Sequence, residues 1–145
     1  MSVGRVKSIK ISKNKGKQKE EIEVGFLLEN YGLEGDIHSG SVDRQVSILP
    51  EECRKQLEVT EVQGFCTRKF QENITISGME LYKCSVGSEI KLGESLVQIT
   101  SVGKKCFADC PRVKVDESCV LKTQCIYARV VNSGKVRVGD IVKIK

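Results

Sequence analysis

The chain has 145 residues, of which 39% are hydrophobic, with seven cysteines and a formal net charge of +5. This length is typical of one domain, and we treat residues 1–145 as a single domain that buries its own core. The mean hydropathy of -0.22 excludes a disordered chain. No apolar run approaches the roughly 20 residues that cross a bilayer, which excludes a membrane-spanning helix.

The N-terminal sequence MSVGRVKSIKIS has neither the apolar stretch nor the cleavage site of a secretory signal, which predicts a cytoplasmic protein that binds no membrane. Thiols are kept reduced in that compartment, and the odd number of cysteines also argues against a disulfide framework. The six lysines at 7–19 have no aromatic or arginine residues among them. We therefore expect a solvated loop there and no nucleic-acid partner.

The first 43 residues predict two strands and two loops. Apolar alternation indicates strands at 6–11 and 22–26, with an exposed loop over 12–21 between them. The polar stretch NYGLEGDIHSGSVD at 30–43 contains three glycines and predicts a long loop. Loops of this kind often carry functional residues on a rigid scaffold.

A strand, a helix and then several more strands are predicted next. The segment RQVSIL indicates a strand, and Pro50 stands at a natural first helical position. Glu51 and Glu52 in the first turn favour a helix of about two turns that runs through Leu57. Short strands are then predicted for ENITIS, SEIKLG, SLVQITSVG, two segments around Ser133-Gly134, and a final segment at 141–144.

This pattern of many short strands and little helix predicts a mainly β fold. We expect a single closed or partly closed β-barrel with one or two short helices, because closing a sheet removes its edges and the glycine spacing suits bent strands. The segments VGSEIKLG at 86–93 and VGDIVKIK at 138–145 both place Val-Gly ahead of an acidic residue and a strand. They are predicted to be two equivalent strand starts.

The stretch GKKCFADCP at 103–111 places two cysteines behind two lysines and ahead of a proline. Neighbouring cations favour the thiolate form of a cysteine, and Gly103 lets the backbone bend at the end of a strand. From the residues alone, three interpretations stay open for Cys106 and Cys110. They are packing residues, part of a zinc site with Cys119 and Cys125, or thiolates that perform chemistry.

The single histidine, His38, lies in the loop sequence GLEGDIHSGSVDRQ. Asp36, Asp43 and Arg44 make this loop dense in groups that hold a polar ligand. A Cys-His pair would require the fold to bring His38 close to Cys106; otherwise His38 is a hydrogen-bonded structural residue. No serine elbow, phosphate-binding loop or dinucleotide fingerprint occurs in the sequence.

Four blocks of the sequence, in order along the chain, resemble the MOSC domain, the module at the C-terminus of molybdenum cofactor sulfurases. The blocks are GLEGDIHSG with DRQVSIL, FQENITISG, VGSEIKLGESLVQITSVGKKC and YARVVNSGKVRVGD, within a match from Val24 to Val142. The chain is most similar to the small stand-alone MOSC proteins of bacteria. The resemblance implies a β-barrel and a role in molybdenum cofactor metabolism.

The resemblance also implies functions for particular residues. Cys106 matches the cysteine that carries sulfur as a persulfide or, in amidoxime-reducing relatives, ligates molybdenum, and Cys110 becomes a candidate second thiol. Glu72 and Asn73 match a second loop pattern of the family. The predicted site comprises the catalytic residues Cys106 and Cys110, with Cys106 also as metal ligand, and the cofactor-binding residues Asp36, His38, Arg44, Asn73 and Lys105.

The implied function is that of a sulfur carrier or a protein that binds the molybdenum cofactor (molybdopterin) through a reactive cysteine. A pyridoxal-phosphate-dependent cysteine desulfurase is the expected sulfur donor, and the molybdenum cofactor or a molybdoenzyme the acceptor. An enzymatic activity would be sulfurtransferase-like and use a cysteine persulfide. Two alternatives are a cofactor-dependent reductase of the amidoxime-reducing type and a non-catalytic module that binds the pterin phosphate through His38, Arg44 and lysines.

Overall fold

The computed structural model describes residues 3–13, 20–36, 39–40, 44–59, 72–103 and 124–145. Within these residues the protein has eleven strands, one α-helix and a short 3-10 helix. They are β1 Val3–Ile11, β2 Glu20–Ile22, β3 Val24–Leu28, β4 Gly32–Leu33, β5 Val46–Pro50, α1 Glu51–Val59, β6 Ile74–Ser77, the 3-10 helix Leu81–Lys83, β7 Glu89–Leu92, β8 Ser95–Val102, β9 Ile126–Asn132, β10 Gly134–Arg137 and β11 Ile141–Ile144. The prediction of a mainly β fold is confirmed. None of the described helices has the length and apolarity needed to span a bilayer.

Seven strands close into a barrel in the order β11, β7, β8, β9, β5, β6 and β1, because β1 also pairs with β11. The predicted barrel is therefore confirmed. Its strand pairs are antiparallel except β5 and β6, which are parallel and connected through the crossover that contains α1. β2 pairs with the second half of β1, and β3, β4 and β10 form a separate three-stranded sheet.

The barrel interior is filled by aliphatic side chains from every barrel strand. Because successive side chains on a strand point to opposite faces, the residues between these aliphatic ones point outward from the barrel. The inward set includes Ile9, Ile48, Ile74, Ile90, Val97, Ala128 and Val142, all at most 1% exposed. Burial of this continuous cluster is the main stabilising contribution to the fold.

Three local features differ from the sequence-based expectation. Glu20 and Glu21, predicted to lie in a loop, belong to β2, because Ile11 and Lys10 of β1 pair with them. The predicted strand at 22–26 is divided between β2 and β3, and the apolar Phe26 of β3 is 46% exposed. The predicted loop at 30–43 contains the short strand β4.

The two predicted strand starts are confirmed as equivalent. Gly87 precedes β7 and Gly139 precedes β11, and both have a φ of 95°. The two strands pair with each other, with Val142 opposite Leu92. The shared Val-Gly pattern therefore marks the same left-handed turn at two neighbouring positions in the barrel.

The strand register defines two ends of the barrel. At end A, β8 finishes beside the start of β9, and β5 and β6 also finish there. At the opposite end, end B, β5 and β6 begin and β1 and β9 finish. Gly103 therefore leaves β8 at end A, whereas Arg44 and Asn73 precede strands that begin at end B.

Gly32 and Gly87 both have a positive φ, of 124° and 95° respectively, but they differ in the space around them. A Cβ on Gly32 would lie 2.6 Å from the carbonyl oxygen of Gln45, whereas one on Gly87 meets nothing within 4 Å. We expect Gly87→Ala to lower the free energy of unfolding by about 1 kcal/mol, the backbone cost alone. Gly32→Ala should cost about 1–3 kcal/mol more because of the clash. Urea denaturation measures both, and equal losses would contradict this packing.

Candidate functional site

The structure describes three of the predicted site residues, Asp36, Arg44 and Asn73. The other predicted site residues, together with Asp43, lie outside the described residues, and their roles stay predictions. They are His38, Lys105, Cys106 and Cys110.

Asp36 is buried, with 3% of its surface exposed, and it connects the predicted functional loop to the barrel. Its Oδ1 accepts a hydrogen bond of 2.7 Å from the backbone N–H of Ser12, just past the end of β1. Its backbone N–H donates to the carbonyl of Leu33, and its own carbonyl accepts from Ser39. These bonds orient the start of the loop that contains His38 in the sequence.

Asn73 joins two barrel strands through its side-chain amide. Its Oδ1 accepts from the backbone N–H of Ser47 at 3.0 Å and from the Ser47 hydroxyl at 3.1 Å. Its Nδ2 donates to the carbonyl of Lys10 at 3.1 Å. Asn73 therefore has a structural role between β1 and β5, and its predicted contact with a cofactor stays a prediction.

Glu72 is fully buried two residues before β6 and is surrounded by cationic and hydroxyl groups. Arg54 of α1 donates to both carboxylate oxygens, Thr75 donates at 2.6 Å, and Lys10 Nζ lies 3.8 Å away. Burial raises the pKa of Glu72, but the hydrogen bonds from Arg54 and Thr75 and the charges of Arg54 and Lys10 outweigh that effect. The pKa therefore lies below its ordinary value of 4.5.

Arg44 is exposed, and its guanidinium lies over the ring of Tyr127. The distance from Cζ to the ring centroid is 4.9 Å, which is within the range of a cation–π interaction. Tyr127 points to the outer wall of the barrel, because its neighbours Ile126 and Ala128 belong to the core. This contact holds an arginine from end B against the outside of β9.

The Arg44–Tyr127 pair lies close to the end of β8. Tyr127 pairs with Ser101, which stands two residues before Gly103. Gly103 has a φ of 89°, and its N–H donates to the carbonyl of Cys125 at 2.6 Å. The sequence Lys-Lys-Cys follows Gly103 directly. The predicted bend at the end of β8 is therefore confirmed.

The sequence alone did not identify Tyr127 as a partner of Arg44. The available signal was an aromatic residue between the inward-facing Ile126 and Ala128 of β9. Such a residue must lie on the outer wall, but the strand pattern does not reveal which loop side chain covers it. That information depends on the pairing of β9 with β5.

The chemistry of a guanidinium suits an anion. Arginine offers planar, paired N–H donors that match a phosphate or carboxylate, and stacking on Tyr127 restricts its orientation. Among the residues that the structure describes, no group of three or more His, Cys, Asp or Glu side chains is arranged to hold a metal ion. The predicted molybdenum ligand, Cys106, lies outside the described residues.

A cleft of 570 Å³ opens at end A, between the start of α1, the 3-10 helix and the end of β11. In it, the Tyr82 hydroxyl donates to Glu80 at 2.7 Å and Lys83 Nζ lies 2.8 Å from the same carboxylate. The bond to Glu80 raises the pKa of Tyr82. Burial raises the pKa of the Cys84 thiol, so this cysteine is protonated at neutral pH and is a poor nucleophile.

Comparison with known proteins defines the class to which the chain belongs. The MOSC domain family model matches residues 35–143, and the chain therefore belongs to that family. This confirms the resemblance seen in the sequence and associates the chain with molybdenum-cofactor-related function.

Particular relatives extend this comparison. The chain is 26% identical to YflK of Bacillus subtilis over 134 residues, which are 86% of this chain and 60% of YflK. The fold is similar to the crystal structure of YuaD from Bacillus subtilis, with a TM-score of 0.72 and 18% identity over 98% of this chain and 95% of YuaD. YiiM from Geobacillus stearothermophilus matches with a TM-score of 0.67 and 18% identity over 98% of this chain and 75% of YiiM. The chain thus spans 60% of the length of YflK, and the structural likeness shows the fold.

The Glu72 cluster predicts a pH-dependent stability. Because the folded-state pKa of Glu72 is lowered, its stabilising contribution is present above pH 4.5 and is lost as the pH falls through the folded-state value. Glu72→Gln should lower the free energy of unfolding at pH 7 by about 3–5 kcal/mol, because Arg54 loses its buried partner. This difference should shrink below pH 4.5.

Denaturant unfolding from pH 7 to pH 3 measures the difference. Glu52→Gln is the matched control, since the Glu52 side chain is 79% exposed and its ion pair with Lys55 contributes little. A Glu72→Gln difference that stays constant across this pH range would contradict the assigned role of the carboxylate.

Proposed function

We propose that the chain acts in molybdenum cofactor metabolism as a sulfur carrier that uses Cys106, with Arg44 binding the phosphate of the cofactor. The observation that carries this proposal is the location of the Arg44–Tyr127 pair beside the strand end that the Lys-Lys-Cys sequence follows. An anion held by Arg44 would lie on the same wall of the barrel as the end of β8. Family membership supports the metabolic context.

In the first proposed step, the Cys106 thiolate attacks the outer sulfur of a persulfide on the donor. A new S–S bond forms at Cys106, the S–S bond of the donor breaks, and the donor cysteine leaves as a thiolate. The transfer needs no external oxidant. Lys104 and Lys105 favour the attacking form, because nearby positive charge stabilises a thiolate.

In the second proposed step, sulfur leaves Cys106. Attack of the Cys110 thiolate on the inner sulfur of the persulfide would form a disulfide and release hydrosulfide. A cellular dithiol would then reduce the disulfide before the next cycle. The cofactor, when bound, supplies the molybdenum centre that receives the sulfur.

The groups proposed to hold the cofactor have different tasks. Arg44 binds the phosphate as a bidentate donor, and Lys105 and His38 complete the anion site. Asp36 acts by orienting the loop that carries His38, through its bond to Ser12. Asn73 acts by fixing the relation between β1 and β5.

A second function, a non-catalytic pterin-phosphate module, is favoured by the same exposed arginine. The two proposals differ in their dependence on Cys106. A binding module would hold the cofactor equally well in Cys106→Ser, whereas a cysteine that carries sulfur is essential for transfer but contributes little to phosphate binding.

Persulfide formation tests the sulfur-carrier proposal. After incubation with a cysteine desulfurase and isotopically labelled cysteine, mass spectrometry should find the labelled sulfur on Cys106. Cys106→Ser should abolish the label at this position, because a serine hydroxyl cannot form a persulfide. Cys84→Ser is the control and should keep the label, since burial raises the pKa of the Cys84 thiol. Failure to detect a persulfide on Cys106 would overturn the sulfur-carrier role.

Titration calorimetry with the molybdenum cofactor tests the role of Arg44. Arg44→Gln should weaken binding by about tenfold or more, because a charged hydrogen bond contributes about 1.5–3 kcal/mol. Arg129→Gln is the matched control, since Arg129 lies on the same wall and donates to Gln98 at 2.8 Å. Equal affinities for wild type and Arg44→Gln would contradict the proposal that Arg44 binds the phosphate.

A further inference from the structure

One wall of the barrel carries a set of cations that the proposed site does not use. This surface, the basic wall, is the outer face of β1, β11 and β7. Its side chains point outward because the alternate residues Val6, Val142 and Leu92 belong to the core. The cations of the basic wall are Arg5, Lys7, Lys91, Lys143 and Lys145, all exposed.

The register places two of these lysines directly opposite each other. Lys143 pairs with Lys91 across β11 and β7, so both ammonium groups leave the same face from neighbouring positions. Like charges in directly opposed positions destabilise a sheet. Neither lysine makes an ion pair with any residue in the described part of the chain. No ion pair within this part of the chain therefore offsets their repulsion.

Protection of a sheet edge does not explain this charge. Edge strands often carry lysines that prevent pairing with other chains. β11, however, pairs with β7 on one side and with β1 on the other, so it is an interior strand of the closed barrel. The lysines on this wall thus have no edge to protect.

The other cations of the wall are only partly compensated. Lys7 lies 3.6 Å from Glu51, and Lys145 lies 3.6 Å from Glu89. Arg5 donates to the carbonyl of Gly139 at 3.0 Å. The wall keeps an excess of positive charge, which favours an anionic partner.

Exposed aliphatic residues lie among the cations. Val3, in the same row as the opposed lysines, is 46% exposed, and Ile141, opposite Arg5, is 42% exposed. Aromatic side chains, which stack on bases in single-stranded nucleic acids, do not occur among the described residues of this face. Aliphatic contacts surrounded by cations match a protein surface on which carboxylates surround apolar residues.

The basic wall also reaches end A of the barrel. Ile144, at the end of β11, lines the cleft there. The turn that leads into β7 is bonded to β8, since the N–H of Gly87 donates to the carbonyl of Ile99 at 2.8 Å. A protein on this wall would therefore lie beside the end of the barrel at which β8 finishes.

We infer that the basic wall is a docking surface for an acidic protein, namely the persulfide donor that transfers sulfur to Cys106. This inference rests on the proposed function for the identity of the transferred group. The wall brings the donor to the barrel end that the Lys-Lys-Cys sequence follows, and its charge accelerates encounter with an acidic partner.

The test compares two charge-reversed variants of the full chain. Lys91→Glu combined with Lys143→Glu alters the basic wall. Lys13→Glu combined with Lys135→Glu is the matched control, because it changes the net charge equally away from the wall, at the exposed Lys13 and the partly buried Lys135. Circular dichroism and thermal melting establish that both variants are folded.

Two sulfur donors are used, a persulfidated cysteine desulfurase and inorganic polysulfide. Polysulfide transfers one sulfur to the Cys106 thiolate and leaves as a chain shorter by one sulfur, so it loads Cys106 without protein docking. We expect the wall variant to accept sulfur from the desulfurase at least tenfold more slowly than the control. Polysulfide should load both variants equally, and added salt should slow the desulfurase reaction of the wild type.

Equal desulfurase rates in the wall variant and the control would overturn the docking proposal while leaving Cys106 as a sulfur carrier. If polysulfide fails to load Cys106 in any variant, the proposed function fails, and docking is then decided by sedimentation of the desulfurase with each variant. Loss of complex in the wall variant alone supports docking, and equal complex formation overturns it. A DNA duplex that binds the wall more tightly than the desulfurase would overturn the assignment to a protein.

Discussion

The pairing of β1 with β11 is the constraint on which the rest of the structure depends. Val3 and Arg5 near one end of the sequence pair with Lys143 and Ile141 near the other, which closes seven strands into a barrel. Closure determines which side chains of each strand point inward, because strand tilt and register in a barrel are linked. The location of Tyr127 on the outer wall and the alignment of Lys91 with Lys143 are both consequences of that register.

A second interaction connects the helix to this barrel. Glu72 has lost its contact with water, and that cost is offset by Arg54, Thr75 and Lys10, which come from the helix and two neighbouring strands. Because a carboxylate left alone at this position would be strongly unfavourable, the cluster specifies where α1 lies. The first turn of α1 lines the cleft at end A, so the Glu72 cluster also shapes that cleft.

The candidate site combines residues that belong to different ends of the barrel. Arg44 precedes a strand that begins at end B, but its long side chain reaches Tyr127, whose partner Ser101 lies near the end of β8. A rigid wall thus supports an exposed cation, while Asp36 and Asn73 stabilise the loops and strands behind it. Of the polar residues that the resemblance selected, Arg44 therefore faces solvent, whereas Asp36 and Asn73 are buried and hold the scaffold together.

The sequence by itself determined the elements that depend on neighbouring residues. Apolar alternation predicted most of β1, and the proline and glutamates at 50–52 predicted α1, because these preferences are set by side-chain period and local backbone restrictions. The motif blocks also indicated the MOSC family, to which the family model assigns residues 35–143. Only the tertiary structure decided that Arg44 meets Tyr127, that Glu72 is neutralised by Arg54, and that two lysines stand opposed. These contacts join segments far apart in the chain, and their geometry follows from strand register, which no local pattern encodes.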